Sequence, residues 1–149
     1  MSCSEPPWWL SALTWLIVFG GWVVVHKSTL SRERRKEKRD TAKFLVDNLA
    51  DLERKALAFH TSQHYDSHVA TELRHEVERI IRRLQKVPLS ELSIPTGVMV
   101  RLRKSITLKN TDASTFAPQG AGEQLLFDIR IAIDNLISSI DVAKETYWK

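Results

Sequence analysis

The residue types best suited to chemistry gather between His60 and His75. His60, His64 and His68 fall four apart, and Glu72 and His75 continue the same stripe. Side chains three and four apart share a helix face, so His64, His68, Glu72 and His75 are the candidate metal ligands. Glu72-x-x-His75 has the spacing that di-iron bundles carry on two of their helices. It occurs once here, and spacing identifies no partner carboxylates on opposing helices. The segment HTSQHYDS, residues 60–67, also reads as a turn, which would break the stripe. The reading adopted is therefore solvated histidines at a helix junction, with no metal and no cofactor assigned.

His75-Glu76 opens the pattern of a zinc protease, in which two imidazoles one helical turn apart hold the metal and the glutamate is the base. The second imidazole position is Arg79, a cation in place of a ligand, so the pattern fails. No phosphate-binding glycine loop, no nucleophile elbow and no Cys-x-x-Cys pair occurs. Cys3 is the only cysteine, which excludes an internal disulfide and any multi-cysteine metal site. No catalytic residue is assigned, and enzyme activity is not expected.

Charge is the next chemical feature. The chain of 149 residues carries a formal +4, and the excess is local. Between Lys27 and Lys43 there are eight basic residues against three acidic ones, a net +5, while the other 132 residues sum to −1. Lys27, Arg32, Arg34, Arg35, Lys36, Lys38 and Arg39 form the block's leading part. Its simplest reading is a topology signal and a solvated linker. Contact with anionic lipid is the second, at about 1 kcal/mol per basic residue near the surface. Nucleic acid is not expected as a partner, because no aromatics interleave with the cations. A smaller cluster, Arg79, Arg82, Arg83 and Lys86 with Arg101, Arg103 and Lys104, suggests an anion-binding face, although exposed charge on amphipathic helices is the default.

The elements that must position these residues begin with an uncharged run, WWLSALTWLIVFGGWVVV, over residues 8–25. As a helix it would extend about 27 Å, close to one hydrocarbon thickness. Trp8 and Trp9 at its front and the basic block behind it read as the two membrane interfaces. A cleaved signal peptide fits less well, since residues 1–7 carry no Lys or Arg and no small-residue cleavage site follows Val25. The Lys/Arg asymmetry predicts an external N-terminus and a cytoplasmic C-terminal part, most simply at a bacterial inner membrane. Adjacent Gly20 and Gly21 allow close helix approach without forming a GxxxG motif.

Beyond Asp40 the pattern becomes amphipathic. Ala42, Leu45, Leu49, Leu52, Ala56 and Phe59 form one seam. Val69, Leu73, Val77, Ile80, Leu84 and Val87 form a second, with Asp66 or Ser67 as cap and Pro88 closing it. A shorter helix after Pro95 carries Met99, Leu102 and Ile106. Residues 109–122 read as a polar loop anchored by Phe116. The last seam is Leu126, Ile129, Ile133, Leu136, Ile140, Ala143 and Tyr147.

Such faces cannot all stay wet, so the expected fold is all-α. An N-terminal transmembrane helix continues through a charged helical linker into a small antiparallel helical bundle. The expected divisions are an extracytoplasmic tail at 1–7, a transmembrane helix at 8–26, a juxtamembrane linker at 27–40 and a cytoplasmic bundle at 41–149. The expected partners are the lipid bilayer and a protein bound through the bundle, or a second copy. The function expected is a binding or regulatory module held at the membrane. The alternative is a membrane-active effector whose Trp-rich span oligomerises and perturbs the bilayer.

Overall fold

A computed structural model describes residues 8–148. Residues 1–7 and 149, with the side chains of residues 8–12, 14 and 147, lie outside the described residues. The elements are α1 (Trp8–Thr61), α2 (Ser67–Leu84), a short 3-10 helix η1 (Leu89–Leu92), α3 (Thr96–Thr107) and α4 (Gln124–Tyr147), with no strand among the described residues. The chain divides into two compact units, Met1–Glu37 and Lys38–Lys149.

In the first unit the described side chains between Trp15 and Val25 are apolar on every side of the helix. Trp15, Leu16, Ile17, Val18 and Phe19 are consecutive and every one is exposed, as are Trp22, Val24 and Val25. Five successive residues cover all sides of a helix with 3.6 residues per turn, so no rotation hides them from solvent. Their recorded ring contacts are local: Phe19 meets Trp22 edge-on at 6.4 Å, and Trp22 stacks on His26 at 5.2 Å.

Among the described residues no helix is long and apolar enough to cross a membrane. The structure therefore does not support the transmembrane expectation for residues 8–26. The side chains of Trp8 and Trp9, expected at an interface, lie outside the described set, as does the expected tail at 1–7.

The second unit is a four-helix arrangement whose directions follow from its cross-helix pairs. Arg83 lies over Phe44, and Lys55 bonds Glu72 and Glu76, so α2 runs antiparallel to the second half of α1. Arg74 pairs with Asp112 just past α3, and Arg103 with Glu78, so α3 runs against α2. Lys109 pairs with Asp128 and Arg130 with Glu53, and Lys38 sits over Trp148, which sets α4 against both α3 and α1. The result is up-down-up-down, the topology in which short connections join antiparallel neighbours.

Each helix contributes its apolar stripe to one continuous core. The α1 seam is buried from Ala42 to Phe59 at every expected position. On α4, Leu126, Ile129, Ile133, Leu136, Ile140 and Ala143 are buried, joined by Leu125 and Ala132; Tyr147 falls outside the described side chains. Asp66 caps α2, its Oδ1 accepting from the backbone N–H of His68 at 2.8 Å and of Val69 at 3.2 Å. This satisfies two of the donors that a helix start leaves orphaned.

Val87 departs from its expected place. It is 77% exposed, because α2 ends at Leu84 and the residue before a proline is disfavoured in helical geometry. The single turn η1 fills that end of the core instead, burying Leu89 and Leu92. Lys38, expected among the free basic residues of the linker, belongs to the bundle, where it pairs with Glu91.

Two substitutions test this packing. Ile133→Ala, at a site with no exposure, should cost 2–5 kcal/mol of unfolding free energy by roughly the usual cavity scale. Asp66→Ala should cost about 1 kcal/mol through the lost cap. Urea denaturation of the purified chain followed by circular dichroism measures both, and equal losses would contradict the assigned roles.

Candidate functional site

The four candidate metal ligands do not converge. His64 lies in the bend between α1 and α2, ahead of Asp66, and is exposed. His68 is in the first turn of α2, and His75 lies on its exposed side. Glu72 is committed elsewhere, its Oε1 accepting from Lys55 Nζ at 2.8 Å. Among the described residues no three His, Cys, Asp or Glu side chains are grouped to hold a metal ion. The turn at residues 62–66 interrupts the stripe that simple four-residue spacing implied.

Lys55 ties α1 to α2 by a second bond, to Glu76 Oε1 at 2.5 Å. The hydrogen bond from Lys55 holds the Glu72 carboxyl below its ordinary range, and the two carboxylates together hold the Lys55 ammonium above its own. All three side chains keep contact with solvent, so this bridge sets register more than stability.

The histidine that the fold does use is His60. It is fully buried at the end of α1, edge-on to Phe59 at 5.0 Å. Its Nδ1 faces Asn110 Nδ2 at 3.4 Å, and its Nε2 has no hydrogen-bond partner. Burial pushes its pKa below 6.5, with the Ile106 backbone opposing. Sequence reasoning grouped His60 with the exposed histidines because of its polarity. Its spacing of four from Ala56 was the signal that it continues the buried seam.

Around His60 the polar loop is fastened down. Asn110 adopts a left-handed backbone with φ 58°, which asparagine tolerates well. Its side chain makes a two-bond clasp with Ala117: Oδ1 accepts from the Ala117 N–H at 2.6 Å and Nδ2 donates to its carbonyl at 2.9 Å. The Gln119 N–H donates to the His60 carbonyl at 2.8 Å, and Tyr65 Oη–H to that of Thr111 at 3.1 Å. Phe116 meets Phe59 and Tyr65 at ring separations of 5.3 and 5.5 Å, the anchoring expected of it.

An open groove of about 730 Å3 lies between the η1–α3 segment and α4. Ile94, Val98 and Val142 give it an apolar lining, and Arg101, Asn135 and Ser138 a polar one. Val142 is 65% exposed there. Gly97 brings no side chain to it, and a Cβ at that position would meet nothing within 4 Å. The neighbouring Ser139 donates to the Asn135 carbonyl of its own helix at 2.7 Å, as an ordinary helical serine does.

Compared with protein-family models, curated proteins and solved structures, the chain finds no match.

His60 makes a testable pH dependence. Because its folded pKa is depressed, the unfolded chain takes up a proton first as pH falls. Stability should therefore be full above about pH 6.5 and decline below it. Glu72 and Asp128, both held low, lose their contributions only in the more acidic carboxylate range. His60→Leu removes the unpartnered nitrogen and should flatten the decline of stability below pH 6.5 in urea denaturation, by at most about one proton's worth. An unchanged slope would show that His60 is not its source.

Proposed function

We propose that the chain is a single-pass membrane-anchored protein whose helical bundle is a protein-binding or regulatory module held at the bilayer. The observation that carries this reading is the set of exposed apolar side chains on all sides of the helix from Trp15 to Val25, followed directly by the basic block. An apolar helix without a polar face is unfavourable in water and favourable in hydrocarbon. Counting the uncharged residues from Trp8, the run has eighteen residues, enough for one crossing of a thin bilayer. Lys27, Arg32, Arg34, Arg35, Lys36 and Arg39 would then stand on the cytoplasmic side, most simply of a bacterial inner membrane.

The bundle's part in this reading is recognition. The core residues Leu92 and Ala143 line the groove together with Val98 and Val142, an apolar, partly polar-lined face available to another protein. Holding that face at the membrane raises its effective concentration toward partners confined to the same surface.

Two measurements test the proposal. The chain should remain in the membrane fraction after alkaline washing, and a reporter fused after Lys149 should be active only when it is of a cytoplasmic type. Release into the wash, or activity of a periplasmic reporter, would defeat the anchor or its orientation. A photo-crosslinking residue at Val142 should give a discrete adduct in cells that the same residue at Ser114 does not. Identical adduct patterns at the two positions would remove the groove from the proposal.

A further inference from the structure

A stripe of cations on α2 has no counterpart in the groove or the core. His75, Arg79, Arg82, Arg83 and Lys86 follow one helix face and line an open depression of about 420 Å3 to which no other described residue contributes. The acids of the same helix are bonded elsewhere, Glu72 and Glu76 to Lys55 and Glu78 to Arg103, and of the stripe only Arg79 adds to the charge that holds the Glu72 carboxyl low. Among the described residues Arg79, Arg82, Arg83 and Lys86 form no ion pair within 4 Å. Arg82 donates Nε to the Glu78 carbonyl of its own helix at 3.3 Å. Like charges one turn apart, such as Arg79 with Arg83 and Arg82 with Lys86, destabilise a helix unless an anion sits between them.

The apolar residues beside this stripe narrow the kind of anion. Phe44 of α1 carries the Arg83 guanidinium over its ring at 5.0 Å and is still 55% exposed. Val87, next to Lys86, is 77% exposed. Cations flanked by exposed apolar side chains match the boundary between phosphate headgroups and acyl chains, where each group meets its preferred surroundings. Single-stranded nucleic acid would call for several aromatic faces on which bases stack. Here there is one ring, with a guanidinium over a face, and an exposed valine that offers nothing to a base.

We propose that the α2 stripe docks on an anionic lipid surface, with Arg79, Arg82, Arg83 and Lys86 meeting headgroup phosphates and Phe44 and Val87 entering the interfacial layer. This deepens the membrane reading by giving the bundle its own lipid contact, and it holds whether or not the apolar run is inserted.

The test uses the full chain with Cys3→Ser and Gln85→Cys, the new thiol carrying an environment-sensitive fluorophore beside the stripe. Vesicles of phosphatidylcholine with phosphatidylserine should shift the emission to the blue, and phosphatidylcholine alone should not. Raised salt should reverse the shift. R79Q/R82Q/R83Q/K86Q should abolish it, since each cation contributes about fivefold to attachment at an anionic surface. Should that variant lose its helical circular dichroism, F44S/V87S, which keeps every charge, must abolish the shift instead. Equal shifts on both vesicle types, or a shift that survives the substitutions in a folded chain, overturns the proposal. The same response to inorganic pyrophosphate or to an RNA oligonucleotide without vesicles overturns it in favour of a soluble anion. Alkaline extraction of the same samples reports separately on the anchor, so the two readings fail independently.

Discussion

The bundle depends on one constraint, that the apolar seam of α1 between Ala42 and Phe59 must be covered on all sides. Leu45, Leu49 and Leu52 are at most 1% exposed, and side chains from α2, η1, α3 and α4 share their core. Burying such a side chain is worth about 1.5–3 kcal/mol, whereas a half-exposed ion pair contributes at most about 1. The cross-helix pairs of Lys55, Arg103 and Arg130 therefore set register around a core that the apolar residues stabilise.

The same helix obeys the opposite rule in its first unit. There the apolar side chains from Trp15 to Val25 go all the way round, and none of the described ones is buried. The contrast is one of periodicity: a stripe with three- and four-residue steps has a wet side, and five bulky residues in succession have none. One face can be sealed by three more helices of the same chain. A full circumference needs a surrounding medium or another protein, which is why the proposed function places lipid there.

The segment at residues 109–122 shows how polar chemistry completes what the core leaves open. Four-helix packing would permit this connection to wander, but the Asn110–Ala117 clasp and the Tyr65–Thr111 bond hold it over the ends of α1 and α2. Phe116 closes the aromatic group with Phe59 and Tyr65. A buried, incompletely bonded imidazole at His60 is the cost of that closure.

Much of this was legible in the sequence, for a physical reason. Helical periodicity is a local property, and it located the seams of α1 and α4 and narrowed the α2 cap to Asp66 or Ser67, since each depends on neighbours within a turn or two. Phe116 stood out as the one large apolar residue of a polar loop. The uncharged run and the basic block were equally visible, being contiguous. What the sequence misplaced depended on residues far apart in the chain. His60 looked like one of a series until Asn110 and Phe59 enclosed it, and Val87 looked like core until η1 supplied Leu89 and Leu92. Glu72 looked like a ligand until Lys55, seventeen residues earlier, took its carboxylate. The groove and the uncompensated stripe on α2 likewise exist only once antiparallel packing decides which acids reach which bases. Amino-acid order fixes what each helix must hide; tertiary packing decides which polar groups find partners and which remain available for binding.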